Sequence, residues 1–575
     1  MPAATPTTTP PPTPTSTIAQ YVPIVGWLPR YRRMYLRGDI VAGLAVASVA
    51  IPTAMGYSTV ADVPVQVGLY ALPAALILYA IFGSSRQVSI GPTSTVAIMS
   101  GAVVFDIVGR DDPAKATALT AGVAISAGLF LAFIGVLRLG WVTDFISRPV
   151  ITGFSIGLSL VVIVGELPHL LGIPVTTPQF VPRLMQSLTQ LPQTDIHTLI
   201  LGVIALAIVF VGPLLSRAIP WALILMAVGI AVAVFLPAVE EGVEVLGAIP
   251  PGLPSFSVPS ITAADAGTIL LGGLAVAIAG VGEGLSAARL FAAQGGYRVN
   301  SDQEFFGTGM SNIASGFTGG MSVTGSLSRT STAAMSGART QVSSFVTVAC
   351  VLLVLVALTG VLANVPRVVL SAIVIASVWP LLDWPTLNRY RKARTVDLVA
   401  ALTGLLGVLL FGPLYGLLAA VAISVVGITF RSSRVTIDEL GRIPGEVAGW
   451  GAIVEHPNRV TEHGVAVLRL NTPLFWANAA RAHDAVLEFV DSHPDTRVVV
   501  LDLEASSQMD STTSDALVSL VNELRAGEID LYIARLHYQA RRVLDRTGFT
   551  ELLGEGHMWH SISQTVRVAG ESLPR

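Results

Sequence analysis

The sequence predicts a polytopic α-helical membrane domain followed by a small α/β domain, and three observations predict it. The first is the placement of charge. Of 575 residues, 52% are hydrophobic and 12% charged, and the first 430 carry 37 charged residues against 34 in the last 145. A segment that lives in hydrocarbon must be poor in charge, whereas the tail has the charge density of an ordinary soluble domain. The second is a series of fourteen apolar stretches, at 39–55, 65–83, 87–108, 116–137, 149–167, 196–214, 218–236, 264–285, 303–318, 325–338, 343–363, 368–382, 396–412 and 414–430. The 54 glycines suit helices that pack closely in a bilayer.

The third observation is where the basic residues fall. Arg30, Arg32, Arg33 and Arg37 precede the first stretch. Arg86, Arg138, Arg217, the pair Arg289 and Arg298, Arg339, the cluster from Arg389 to Arg394, and the pair Arg431 and Arg434 follow the even-numbered ones. The loops between carry Asp111, Asp112, Glu240, Glu241 and Glu244, with Arg110, Lys115, Arg183 and Arg367 as exceptions. Because cytoplasmic loops are enriched in Lys and Arg, the alternation predicts fourteen spans with both termini in the cytoplasm.

The same numbers exclude other classes. Long apolar runs have no place in a soluble enzyme, and a net charge of −3 gives no nucleic-acid surface. The single cysteine, Cys350, forms neither an intrachain disulfide nor a cysteine-rich metal site. Residues 1–20 are Pro/Thr-rich and predict disorder; they lack the charged and apolar regions of a secretory signal. The expected domains are therefore 1–20 disordered, 21–434 transmembrane and 435–575 soluble.

An internal repeat organises the spans. Residues 88–101 (VSIGPTSTVAIMSG) and 324–337 (TGSLSRTSTAAMSG) align without gaps and share Ala97/Ala333, Met99/Met335, Ser100/Ser336 and Gly101/Gly337. They are the third and tenth spans, each the third member of a set of seven. Seven is odd, so the second set enters the membrane with the opposite sense, giving a 7+7 inverted repeat. Both segments begin badly for a lipid-facing helix, with Gly91, Pro92, Thr93 and Ser94 in one and Gly325, Ser326, Ser328, Arg329 and Thr330 in the other. Each therefore predicts an extended piece followed by a half-helix starting in mid-membrane, which is tolerated only where protein or a cavity satisfies the backbone. Two such N-termini aimed at one centre bring free N–H groups and positive dipole ends together, an anion site that needs no metal. Arg329 adds a full charge and five donors, and Thr93, Ser326 and Ser328 add hydroxyls. The bland alternative is small packing residues beside a snorkelling arginine.

The eighth span, LLGGLAVAIAGVGEGLSAARLFA, holds Glu283 after a long uncharged run. An ionised carboxylate in the bilayer is expensive, so Glu283 should face the protein interior and titrate, or pair with a cation. That suits a group that takes up and releases a proton. The bland alternative pairs it with Arg289 near the helix end. Glu166 reads as interfacial, and Asp39 as a cap or cytoplasmic contact at the start of span one.

Beyond residue 434, apolar runs alternate with amphipathic ones. Strands are predicted at 465–470, 498–503 and 531–534, and helices at 477–491, 512–526 and 538–547, a sheet with helical cover. No Walker pattern accompanies Gly441, Gly445, Gly449 and Gly451, and the histidines form no metal motif, so no cofactor is expected.

These residues resemble the sulfate permease (SulP) family, in its bacterial form, over nearly all of 21–572. The markers are PTAMGYSTVADVPVQVGLY from Pro52 to Tyr70, SSRQVSIGPTS at 84–94, the Glu283 region, NSDQE at 300–304 with Asn312, and SLSRT at 326–330. LDLEASSQMDST at 501–512 resembles the sulfate-transporter and anti-sigma-factor-antagonist (STAS) domain. The resemblance implies a core domain of spans one to four and eight to eleven, a gate domain of the rest, and a cytoplasmic STAS domain. It implies a homodimer in the bacterial plasma membrane that moves core against gate like an elevator. It implies that Tyr57, Thr93, Ser326, Ser328 and Arg329 bind the anion and that Glu283 is the coupling carboxylate. Thr53 departs from the family glutamine. Ala287 stands where sodium-coupled relatives have threonine, which places protons ahead of sodium as the coupling ion. Thr513 stands where the STAS motif often has glycine, two residues after Ser511.

The leading expectation is a secondary active transporter of a small inorganic anion, sulfate with protons. The alternatives left open are bicarbonate or dicarboxylate transport, an uncoupled exchanger or channel, and a membrane receptor whose tail engages a soluble partner. No nucleophile–base pair or metal cluster supports an enzyme.

Overall fold

The computed structural model describes residues 22–573, apart from 110–111, 141–146, 176, 178, 217–218, 236–242, 394, 447–448 and 456–457. The Pro/Thr-rich start and the loop charges Arg110, Asp111, Arg217, Glu240, Glu241 and Arg394 lie outside the described residues. The chain divides into two compact units, Met1–Ser424 and Val425–Arg575.

Each of the fourteen apolar stretches overlaps a helix, two of them only after an extended lead-in. The first seven are α1 (Leu36–Val60), α2 (Val65–Phe82), α3 (Ser94–Val108), α4 (Pro113–Val136), α5 (Arg148–Leu171), then, after a short amphipathic α6 (Phe180–Thr189), α7 (Ile196–Leu215) and α8 (Trp221–Phe235). The second seven begin with α9 (Ala263–Gln294), α10 (Ser301–Phe317), α11 (Leu327–Met335), α12 (Val342–Leu362) and α13 (Arg367–Val378). The basic α14 (Trp384–Ala393) precedes α15 (Thr395–Ser432), which supplies the last two spans. The break between them is at Gly412, whose φ of 83° interrupts the helix just before Pro413. Glycine adopts that conformation at little steric cost, and proline lacks the N–H that the helix would need. Among the described residues nine helices are long and apolar enough to cross a membrane, and α3 and α8 are shorter apolar helices.

The helices pack in two groups. α10 lies against α4 and α2, α9 against α4 and α3, and α12 and α11 against α1, whereas α13 lies against α5 and α7, and α8 against α7. These are spans one to four with eight to eleven, and the remainder. Lipid is as apolar as a leucine side chain, so close packing rather than water exclusion holds such helices together. α4 and α10 illustrate it: a Cβ on Gly128 would stand 2.6 Å from the Gly309 main-chain oxygen. Glu166 is 5% exposed within α5 and accepts a 2.6 Å hydrogen bond from the Ser371 hydroxyl of α13.

The lead-ins to α3 and α11 are extended and pair with each other. β1 (Ile90–Gly91) runs antiparallel to β2 (Thr324–Gly325), with Ile90 opposite Gly325 and Gly91 opposite Thr324. Backbone that a helix would have satisfied is satisfied here across the repeat, as mid-membrane burial requires.

The second unit is a six-stranded sheet in the order β4-β3-β5-β6-β7-β8, with β3 (Ile437–Arg442), β4 (Trp450–Ala452), β5 (Val465–Leu470), β6 (Val498–Asp502), β7 (Asp530–Ala534) and β8 (Met558–Trp559). β5 to β8 are parallel, and β3 is antiparallel to both neighbours. The helices α16 (Ala479–Ser492), α17 (Ser511–Ala526), α18 (Tyr538–Arg546) and α19 (Phe549–Leu553) share one apolar core with the sheet, and α20 (Ile562–Glu571) covers a second. The three predicted strands are the central ones. The other three strands were not predicted because β3 (IDELGR) is charged and β4 and β8 are only three and two residues long. Asp510 caps α17. Its burial opposes ionisation, but N–H donors from Thr513 and Trp476 outweigh that and hold its carboxyl below the usual range.

Candidate functional site

The site lies where β1 and β2 hand over to their half-helices. Thr93 is the N-cap residue of α3, with extended φ and ψ of −130° and 164°, yet its hydroxyl makes no cap bond. It donates instead to Glu283 Oε2 of α9, 3.0 Å away. The first turn of α3 therefore keeps its N–H groups free of that cap, with the positive end of the dipole behind them. At α11 the cap is Ser326, whose hydroxyl accepts from the Arg329 N–H at 3.4 Å.

Arg329 is the central group. It is 2% exposed, and its Nη1 donates to the Pro92 main-chain oxygen at 2.8 Å. Its Nε and Nη2 have no hydrogen-bond partner. A buried guanidinium with two unsatisfied nitrogens is costly to leave so, and a ligand carrying acceptor oxygens removes the cost. Gly91 makes room for it: a Cβ there would stand 3.1 Å from Nη2 and 3.3 Å from Cζ.

Two more helices close the pocket. Tyr57 of α1 is 6% exposed, and its hydroxyl interacts with Ser94 of α3, Ser377 of α13 and the charges of Arg329 and Glu283. Glu283 is half-buried, accepts from the Thr93 hydroxyl, and lies near Thr95 and within electrostatic range of Arg329. It does not pair with Arg289, whose Nη2 donates to the Ser301 hydroxyl at 3.0 Å.

Tyr57, Thr93, Glu283 and Arg329 are thus brought together, and Ser326 joins them as a cap. Ser328 is on an exposed face of α11, because neighbouring helical residues point about 100° apart. Thr95 and Ser377 were not singled out from the sequence, and Ser94 and Gly91 were named only as marks of a broken helix, not as site residues. Ser94 and Thr95 carried a signal as hydroxyls in the opening turn of a half-helix; Ser377, from the other group of helices, carried none. Thr53 turns its hydroxyl back to the Val49 oxygen of its own helix at 2.8 Å.

A separate cavity of about 340 Å³ opens at the other end of α3, lined by Thr59 and Asp62 of the α1 terminus, Ile98, Ala102 and Asp106 of α3, and the Gly412 break. Its floor at Ile98 is one helical turn from Ser94. Among the described residues no group of three or more His, Cys, Asp or Glu is placed to hold a metal ion.

The family model described as the sulfate permease family matches residues 36–404, and the STAS domain model matches residues 456–569. A probable sulfate transporter of Mycobacterium tuberculosis is 33% identical over 555 residues, covering 96% of this chain and 99% of that protein. Sulfate transporter 2.1 of Arabidopsis thaliana is 29% identical over 577 residues, covering 96% and 85%. Among solved structures, SLC26A9 superposes with a TM-score of 0.90 at 20% identity, covering 96% of this chain and 93% of that one. The transmembrane domain of a cyanobacterium bicarbonate transporter, BicA, gives 0.59 at 22% identity, covering 69% and 99%. At those identities the structures establish the fold alone.

Proposed function

The chain belongs to the sulfate permease family, with a C-terminal STAS domain, and from that premise we propose that it carries sulfate across the bacterial plasma membrane together with protons. Transport of an anion follows from the family; sulfate, the proton and the mechanism are our reading. The observation that carries it is the buried Arg329 guanidinium, with two unpartnered nitrogens beside the open N-terminus of α3. A tetrahedral dianion with four acceptor oxygens fits such a donor set. In the reading, Arg329 and the first-turn N–H groups of α3 neutralise the anion, while Tyr57, Thr93 and Ser326 orient it, and Ser328 meets it on the approach.

Glu283 couples the proton. Two like charges about 4 Å apart repel by about 4 kcal/mol at an effective dielectric near 20, so an ionised Glu283 disfavours a dianion in the same pocket. Protonation removes that repulsion, and by linkage a bound anion favours the proton equally. The neutralised core, spans one to four and eight to eleven, then slides as an elevator against the gate in a homodimer. Both termini face the cytoplasm, with the transmembrane domain at 21–434 and the STAS domain at 435–575. Sodium coupling lacks support because Ala287 offers no hydroxyl ligand.

The test is uptake of labelled sulfate into proteoliposomes, with and without an inward proton gradient, in competition with bicarbonate and dicarboxylates. Stimulation by the gradient and competition by unlabelled sulfate support the proposal. Uptake indifferent to pH but driven by a counter-anion makes the protein an exchanger, and preferential competition by bicarbonate or a dicarboxylate reassigns the substrate.

A further inference from the structure

Two buried carboxylates outside the pocket hold the two crossed segments from one end. Glu304, in the first turn of α10 and 4% exposed, accepts from the main-chain N–H groups of Ser84 and Ser85, each at 2.9 Å, and from the hydroxyls of Ser84 and Tyr79, each at 2.7 Å. Ser84 and Ser85 begin the lead-in that continues through β1 to Thr93. Asp39, in the first turn of α1 and fully buried, accepts from the N–H groups of Arg339 and Thr340 at 2.7 and 3.1 Å. It also accepts from the hydroxyls of Thr340 and Tyr31 at 2.7 and 3.2 Å. Arg339 and Thr340 close the segment that starts at β2 and carries Arg329.

Each carboxylate thus grips two consecutive backbone N–H groups of a different repeat, and amides tie the gripped turns together. Gln341 Nε2 donates to the Ser85 and Val88 oxygens, both at 3.0 Å, and Gln87 Nε2 donates to the Ala338 oxygen at 3.0 Å. Between these ties and the pocket the segments share only the short β1–β2 ladder, the Ser326 N–H to Ser89 oxygen bond at 3.1 Å, and the Ser89 N–H to Thr330 hydroxyl bond at 3.2 Å. A two-stranded pair of that length is too weak to fix a register by itself. Charge-assisted bonds to successive N–H groups are among the strong ones.

We propose that Glu304 and Asp39 are positioning residues for the anion site: they set the register of the two crossed segments, and so the placement of Arg329 relative to the N-terminus of α3. They do not carry the transported proton, since each is filled by four donors, whereas Glu283 faces the pocket. The inference rests on the proposed anion site at Arg329, but on neither sulfate as the ligand nor proton coupling.

The experiment is a kinetic comparison of Glu304→Gln and Asp39→Asn with wild-type protein in proteoliposomes, using whichever anion the wild type carries. Each isosteric amide can keep one oxygen for the two N–H donors, but it loses the charge that strengthens those bonds. It also turns its NH2 toward hydroxyls that now donate (Tyr79 at Glu304; Tyr31 and Thr340 at Asp39), which should raise KM for the anion about tenfold. The maximal rate should stay within about threefold, with the pH profile unchanged. Thr340→Val and Ser84→Ala, which remove one hydroxyl donor each, should raise KM by about threefold and serve where the amide variants fail to fold. A wild-type KM in these variants, or a reduced maximal rate at unchanged KM, overturns the positioning role. Loss of pH dependence in Glu304→Gln overturns it in favour of proton carriage. Absence of anion uptake by the wild type would instead sink the transport reading.

Discussion

The Arg329 guanidinium donates from Nη1 to the Pro92 main-chain oxygen 2.8 Å away, so the cation of one half-helix is tied to the extended lead-in of the other. That bond spends one donor on placement and leaves Nε and Nη2 for a ligand. It also explains why arginine serves here: a planar fork bonds the backbone on one side and an anion on the other, which a point-charge ammonium does not reproduce.

Arg329→Lys should therefore lose most anion affinity while keeping the charge. Losing charge-assisted bonds of about 1.5–3 kcal/mol weakens binding by tenfold or more. Isothermal titration with sulfate measures it; an affinity within twofold of wild type would contradict direct ligation.

Gly91→Ala should weaken binding without removing any polar atom. Its Cβ would stand 2.6 Å from a Leu72 methyl and 3.1 Å from Arg329 Nη2, so the Leu72 side chain must move and the guanidinium must give way slightly. The same titration should read a loss of about tenfold, with the melting temperature of detergent-solubilised protein little changed.

Glu283→Gln retains an oxygen for the Thr93 hydroxyl, which donates to it at 3.0 Å, and removes the titrating group. Below the carboxyl pKa the wild type is protonated and resembles the variant; as pH rises through it, only the wild type regains a charge that repels a dianion. Anion affinity should thus fall with rising pH in the wild type and stay flat in the variant. Uptake by the variant should ignore a proton gradient.

The cavity at the far end of α3 and the exposed face of α11 predict access from opposite sides. Cys350 is the sole cysteine, so Cys350→Ala supplies a background for placing thiols one at a time. A membrane-impermeant maleimide should label Ala102→Cys from one side and Ser328→Cys from the other. Labelling of both from the same side would show that the 340 Å³ cavity is no second access route.

In the second unit Asp502 is fully buried between Arg469, whose Nε is 2.9 Å away, and Arg535, whose Nε is also at 2.9 Å. Asp502→Asn leaves two guanidinium groups facing an amide, and breaking such a buried pair costs about 3 kcal/mol or more. Limited proteolysis of the full chain should cut the 425–575 unit faster, with sulfate affinity at the membrane site unchanged.

The membrane spans were legible because each is a local property: about 20 apolar residues in succession lower the transfer free energy whatever lies beside them. The inverted repeat followed from their odd number per set, and Arg329 stood out because so few charges share its surroundings. The partner of Glu166 was not legible, because it is the Ser371 hydroxyl of a distant helix. The charged β3 and the very short β4 and β8 have no apolar alternation to betray them, and their strand conformation comes from their neighbours.

By itself, then, the sequence determined how many times the chain crosses, which two helices break, and which residues bear charge at that depth. Only the tertiary structure decided what those residues touch. Thr93 meets Glu283 across 190 positions, Pro92 meets Arg329 across 237, and Asp39 meets Thr340 across 301. Hydrophobic periodicity reports the solvent that each residue prefers, within a turn or two of helix. A hydrogen bond between chain segments this far apart depends on how whole helices pack, and no local pattern records that.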